Sequence, residues 1–197
     1  APMVSDPLNL YESCRISDGA AAVVLAATSA LPAGAAEAAD VRIRGVGAAS
    51  DHLALQTRSC IHATVATARA AGRAFTDAAL TPEDVDIAEV HDCFTIAEVL
   101  ALEALGFYEP GGALGAADRG ETAAGGRLPT NLSGGLKAKG HPVGATGVSQ
   151  IAELTKLLRG DHPAAADIET PAVGVAHNAG GTVATAVVHL LEVADHG

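Results

Sequence analysis

Tryptophan is absent from this 197-residue sequence, and phenylalanine and tyrosine make up only 3% of it. The core therefore cannot be built on rings. Ala, Val, Leu and Ile must fill it, and a hydrophobic content of 49% is enough to do so. Basic side chains are scarce as well: 12 stand against 23 acidic ones, for a formal net charge of −11. That balance excludes a nucleic-acid surface, which needs basic clusters and stacking aromatics. No apolar run reaches bilayer-spanning length, so no membrane partner is expected. The opening "APMVSDPLNLYESC" has neither the basic start nor the apolar centre of a signal peptide. Cysteine is sparse, and Cys14, Cys60 and Cys93 are odd in number and far apart. A disulfide framework is not expected, and a reducing cytoplasmic compartment fits better.

What is present is alternation. Apolar runs suited to buried strands fall at 20–27, 41–48, 85–91, 172–177 and 182–193. Helical stretches lie between them. Residues 59–75 are long and Ala-rich. "TPEDV" offers Thr81, Pro82 and Asp84 as a capping box. "TIAEVLALEALGF" spaces apolar residues helically over 95–107 and stops at Gly106, and 146–160 ends in Lys, Arg and Gly. The Ala-rich 29–40 reads as a loose helix or a surface loop. The glycine-rich 108–128 reads as a long loop of the kind that is often functional. The pattern predicts an α/β fold, and 197 residues suit one large domain or two small ones.

Three stretches carry reactive side chains. In "EVHDCFTIAEVL" a buried strand ends near His91 and a helix opens near Phe94. Cys93 then sits close to a helix N-terminus, where backbone N–H groups favour a thiolate. Open α/β sheets carry their sites at this edge. The alternatives are a small buried cysteine beside a core histidine, or a metal site, for which no second Cys or His pair is close. "GGLKAKGHPVGATGVSQ" sets five glycines and His141-Pro142 ahead of a helix. Glycine costs folding entropy, so such a density implies close backbone approach. Neither a P-loop nor a dinucleotide fingerprint is present. His141 reads as a donor or general base, or as an incidental residue of a tight loop. In "GVAHNAGGTV" a strand runs through His177 and Asn178 into Gly180-Gly181, which taken alone is a plain hairpin.

Together these stretches resemble the C-terminal half of the thiolase family. Gly140 to Gly147 matches its G-H-P-x-G-A-T-G signature without a gap, "NLSGG" precedes it, and "SDGAAAVVLA" resembles the opening strand of that half. "HDCF" at His91–Phe94 is similar to the sterol-carrier-protein-type and archaeal-type thiolases rather than to members with N-E-A-F. Those members draw a second catalytic cysteine from a C-x-G motif. Here "HNAGG" stands in that place, with His177 where the cysteine would fall.

The resemblance implies one C-terminal thiolase domain over 1–197, with a five-stranded mixed sheet covered by helices on both faces. It implies acyl transfer between coenzyme A thioesters, with acyl-CoA as substrate and no resident cofactor or metal. Cys93 would be the acid/base, and His141 and His91 the donors at the thioester oxygen. Phe94, Gly140, Gly144, His177, Asn178 and Gly180 would line the substrate site. The family's nucleophilic cysteine belongs to an N-terminal half, and neither Cys14 nor Cys60 has its motif. An N-terminal half or homologous subunit is therefore the expected partner, within an oligomer. Two other readings stand beside this one. A non-catalytic thiolase-fold subunit would only assemble with its partner. A thiolase-like aldolase component would pair with an OB-fold chain, but such aldolases lack the histidine and cysteine present here.

Overall fold

The computed structural model describes residues 1–31 and 41–194. A short hairpin, β1 (Met3–Ser5) and β2 (Leu8–Asn9), opens the chain. The main sheet holds β3 (Val41–Ser50), β4 (Ile87–Glu89), β5 (Val173–Gly180) and β6 (Thr185–Val193), in the order β3-β6-β5-β4. β6 is antiparallel to both β3 and β5, and β4 is parallel to β5, so the sheet is mixed.

Residue parity sorts this sheet into two faces, because successive side chains of a strand point to opposite sides. Ala88, Val90, Val173, Val175, Val188 and Leu190 face one helical layer. That layer is α1 (Val65–Ala78), α2 (Thr95–Ala104) and the short α3 (Ala113–Asp118). Ile87, Ala176 and Leu191 face α4 (Thr146–Arg159), through Leu154, Leu157 and Leu158. Helices therefore cover both faces, as anticipated.

The α1 layer is unusually close to the sheet. Ala66, Ala70, Ala74 and Ala78 recur on one face of α1 and are buried. Opposite them lie Gly45 and Gly47 of β3. A Cβ on Gly47 would fall onto the Ala70 carbonyl, and one on Gly45 onto the Ala74 carbonyl. Glycine here removes the side chains that would hold helix and strand apart.

Among the described residues the main sheet has four strands rather than five. The run 20–27 forms no ladder, and Val24 and Leu25 are exposed. A groove of about 410 Å³ separates residues 22–25 from the start of β3 and from α4, which keeps the run from pairing. Apolar content gave that run its strand-like look, but pairing needs a strand edge within hydrogen-bond reach. The 108–128 stretch is not an open loop either. α3 interrupts it, Glu103 accepts hydrogen bonds from the N–H groups of Gly111 and Ala113, and Ala113, Ala116 and Leu128 are buried.

Smaller shifts have local causes. The Ala-rich helix begins at Val65, not near 59, because the Arg58 guanidinium ties the preceding turn to the carbonyls of His52 and Thr182. The capping box at Thr81 and Asp84 forms, but it caps only a 3₁₀ turn, Pro82–Asp84. Of the 29–40 stretch, residues 29 and 30 end a 3₁₀ turn, and 32–40 lie outside the described residues.

Candidate active site

β4 ends at Glu89, and the chain turns before α2 begins: the Asp92 N–H donates to the Val90 carbonyl at 3.1 Å. Cys93 therefore sits in a bend, and the strand does not continue extended from His91 to Cys93. Phe94 is the N-cap of α2 and half exposed. Three carboxylates brace this turn. Asp92 accepts from the N–H groups of Leu136 (2.7 Å) and Lys137 (3.2 Å). Glu89 accepts from the Ser133 N–H and hydroxyl. Glu98 accepts from Asn131 Nδ2, while Asn131 Oδ1 accepts the Val90 N–H. The "NLSGG" segment is thus stitched to the strand end that carries His91.

This stitching also explains most of the glycines. Gly135 lies against the Asp92 carboxylate with φ +58°, in a π-helical turn at Gly135–Lys139. At Gly140 (φ +106°) a Cβ would meet the Ser17 hydroxyl, and at Gly147 it would meet the Asn178 amide at 3.3 Å. The close approach that the sequence implied is largely between protein groups. Gly144 differs, since nothing lies within 4 Å of its Cβ direction. Gly180 is likewise open and exposed.

The parallel register sets Glu89 beside Ala176, so His91 follows on next to Asn178. Asn178 Nδ2 stands 3.2 Å from His91 Nδ1 and also donates to Gln150 Oε1 at 3.0 Å. Gln150 in turn donates to the His177 carbonyl at 2.9 Å. The amide donor makes His91 Nδ1 an acceptor, which leaves the proton of the neutral ring on Nε2. Burial, and then the neighbouring His141, lower the His91 pKa to about 4. His91 is therefore a neutral ring with a fixed N–H.

His141 meets it edge to face, with ring centroids 4.9 Å apart. Its Nδ1 lies 2.7 Å from the Thr146 hydroxyl, at the start of α4. That hydroxyl already donates to the Pro142 carbonyl, so it accepts from His141 Nδ1–H. The neutral ring then keeps a lone pair on Nε2. The two histidines are set in opposite tautomers, one offering a proton and the other able to take one. Sequence reasoning named both rings but not Thr146, Gln150 or Asp92, which orient them. Only the motif neighbours of those residues hinted at the roles.

His177 takes the other face of the sheet. It is 1% exposed, and its Nε2 lies 3.0 Å from the Thr67 hydroxyl of α1. Burial, and then His91, lower its pKa to about 3. Parity separates it from Asn178, which faces α4. Cys93 is half-buried, and burial first, then the nearby Cys14 thiol, raise its pKa. The helix-terminus setting was expected to favour a thiolate. Burial outweighs it, and Cys93 is a protonated thiol at rest.

Beside the histidines a polar cavity of about 240 Å³ is lined by Glu89, Lys139, Gly140, Pro142, Thr146 and Gln150, among others. A larger apolar one, about 710 Å³, lies between the start of α1 and the second half of α2 and includes none of the sequence-selected residues. Among the described residues, no group of three or more His, Cys, Asp or Glu side chains is arranged to hold a metal ion. Nor is any helix among them long and apolar enough to cross a membrane.

Comparison with known proteins accords with this architecture. The Thiolase C-terminal domain-like family matches residues 47–193. An acetyl-CoA acetyltransferase of Methanothermobacter thermautotrophicus is 46% identical over 190 residues, which is 95% of this chain and 48% of that protein. Sterol carrier protein 2 of Gallus gallus is 40% identical over 160 residues, covering 80% of this chain and 29% of its own length. The solved structure of an Ltp2-ChsH2(DUF35) aldolase has the same fold, with a TM-score of 0.77 at 21% identity over 98% of this chain and 49% of that one. The chain spans about half the length, or less, of these relatives. On the family match over residues 47–193 and the level of identity, the chain belongs to the thiolase family, in which it resembles the C-terminal domain.

Proposed function

We propose that this chain supplies the C-terminal half of a thiolase active site, acting on acyl-CoA thioesters in Claisen condensation or its reverse, thiolysis of a 3-ketoacyl-CoA. The observation that carries this reading is the histidine pair. His91, with its N–H on Nε2, and His141, with its Nδ1 turned to Thr146, meet edge to face just past the end of β4, and Cys93 follows His91 two residues on in the chain. Acyl transfer asks for those groups. A thioester oxygen gains negative charge as its carbon is attacked or its enolate forms, and a fixed neutral N–H stabilises that charge without reorganising. His141 Nε2 can take a proton from an incoming thiol and, once charged, donate to the same oxygen.

Cys93 is the acid/base in this proposal. Resting as a thiol, it first acts as an acid, protonating the departing enolate during thiolysis. As a thiolate it removes the α-proton during condensation. The nucleophilic cysteine that holds the acyl group comes from an N-terminal thiolase half or a homologous subunit. One relative, from Thauera aromatica, is named as a subunit, benzoylsuccinyl-CoA thiolase subunit BbsB, at 34% identity, which supports action in a multi-chain assembly. Exposed Phe94, Ile96 and Val143 near the site suit such a covering partner.

The test is reconstitution. This chain is combined with a nucleophile-bearing thiolase half, and acetoacetyl-CoA thiolysis is followed. Activity that needs both parts, and that fails with Cys93→Ala, supports the reading. Full assembly without turnover would leave the non-catalytic subunit instead.

A further inference from the structure

Residues 13 and 14 run antiparallel to residues 93 and 94. Ser13 and Phe94 form an isolated bridge, and the Cys14 N–H donates to the Cys93 carbonyl at 2.9 Å. The bridge register places Cys14 directly opposite Cys93. Opposed residues of this hydrogen-bonded kind have Cα atoms about 5.5 Å apart and side chains on one face. A disulfide spans Cα separations of about 4.4–6.8 Å. Both thiols are free and partly accessible. Burial and then the Cys14 thiol raise the Cys93 pKa, while at Cys14 burial is the largest cause of a rise. Cys60 lies elsewhere, 3.1 Å from the His62 ring.

We propose that Cys14 and Cys93 form a reversible dithiol–disulfide pair that takes Cys93 out of action when it closes. The pairing itself stands on the backbone geometry. Its effect on turnover rests on the reading of Cys93 as acid/base. The oxidant is a low-molecular-weight disulfide such as oxidised glutathione. In the first exchange the Cys14 thiol loses its proton and attacks one oxidant sulfur. The oxidant S–S bond breaks, and one thiol leaves carrying that proton. In the second, the Cys93 sulfur loses its proton and attacks Cys14 sulfur in the mixed disulfide, and the second thiol leaves with that proton. Two protein thiols are oxidised, and one oxidant disulfide is reduced to two thiols. A dithiol reductant reverses both steps. Transient, regulatory disulfides of this sort are the kind found in reducing compartments. Neither His91 nor His141 is a reactant in the exchange, so the switch acts on one proton-transfer group.

The experiment treats the reduced chain with oxidised glutathione, alkylates the remaining thiols and maps the peptides without reduction. The expected result is one alkylated thiol, Cys60, with the Cys14 and Cys93 peptides linked, and three alkylated thiols again after dithiothreitol. Cys14 and Cys93 recovered separately, alkylated or each capped by glutathione, would overturn the pairing. A second arm uses the reconstituted enzyme. Wild type should lose thiolysis under the same treatment and recover it with dithiothreitol, while Cys14→Ser keeps its turnover. Equal loss in wild type and Cys14→Ser would overturn the switch. A closed link with unchanged turnover would instead reject Cys93 as the acid/base and leave the pairing standing.

Discussion

Asn178 Nδ2 and His91 Nδ1 stand 3.2 Å apart, and this one contact decides which nitrogen of His91 carries its proton. Asn178→Ala removes the donor and frees the ring to rotate. Around metal-bound histidines, loss of the orienting partner costs about 10- to 100-fold in affinity or activity, and a loss on that order is expected here. The expected outcome is a fall in kcat of roughly that size with little change in KM, read in the reconstituted enzyme, together with a change in the His91 ring nitrogen resonances. An unchanged kcat with altered resonances would show that His91 does not donate to the reacting oxygen.

Cys93→Ala should abolish both thiolysis and condensation while leaving the far-ultraviolet circular dichroism and the melting temperature close to wild type, because Cys93 lies in a bend and is not part of either buried cluster. Turnover near wild type would remove Cys93 from the mechanism.

His141→Ala and His91→Ala should each lower turnover by about 10²–10³, the usual cost of one oxyanion donor. Thr146→Val should mimic part of the His141 loss, since it removes the acceptor that holds Nδ1 at 2.7 Å. Steady-state kinetics alongside thermal melts distinguish this outcome from unfolding. A variant that melts far below wild type marks its histidine as a core residue.

Two glycines make opposite predictions. Gly135→Ala drives a methyl group onto the Asp92 carboxylate at φ +58°, and the left-handed backbone alone costs about 1–2 kcal/mol. Gly72 is exposed in the middle of α1 with nothing within 4 Å, so Gly72→Ala should stabilise by about 0.5–1 kcal/mol. Urea midpoints would show the two shifts in opposite directions.

Stability should also respond to acid and base through different groups. The His177 pKa is lowered to about 3 from an ordinary 6.5, so its contribution is present above pH 6.5 and is lost as pH falls from there toward 3. The Glu89 pKa is raised to about 7 from 4.5 by burial, so its contribution is present below pH 4.5 and is lost as pH rises through 7. Glu89→Gln should therefore flatten the decline between pH 4.5 and 7, and His177→Leu the decline below 6.5. Urea midpoints measured across pH 4–8 would reveal either change. Curves parallel to wild type would mean that these groups do not titrate as described.

Legibility in the sequence followed how local the signal was. The runs 41–48 and 182–193 found their strands because alternation and β-branched content agree there. The run at 20–27 misled, because apolar content says nothing about whether a strand edge is in reach. His91, Cys93 and His141 were legible as reactive types at element ends. Their tautomers were not, because these depend on Asn178 and Thr146, and on a parallel register between segments some 87 residues apart in the chain. His177 and Asn178 looked equivalent in the sequence. Only strand parity separates the one that faces Thr67 from the one that faces Gln150.

The glycines of β3 have a mechanical consequence. With Gly45 and Gly47 against the carbonyls of α1, that interface is backbone and methyl groups, which have no rotamers to yield. α1 therefore works as a stiff rail along the sheet. Thr67 on that rail grips His177, and the next residue, Asn178, reaches through to the opposite side and steers His91. A side chain added at Gly47 would push on the rail rather than be absorbed, and the displacement would travel along two hydrogen bonds to the His91 ring. Small residues far from the chemistry thus hold its alignment, much as a bench holds a lens.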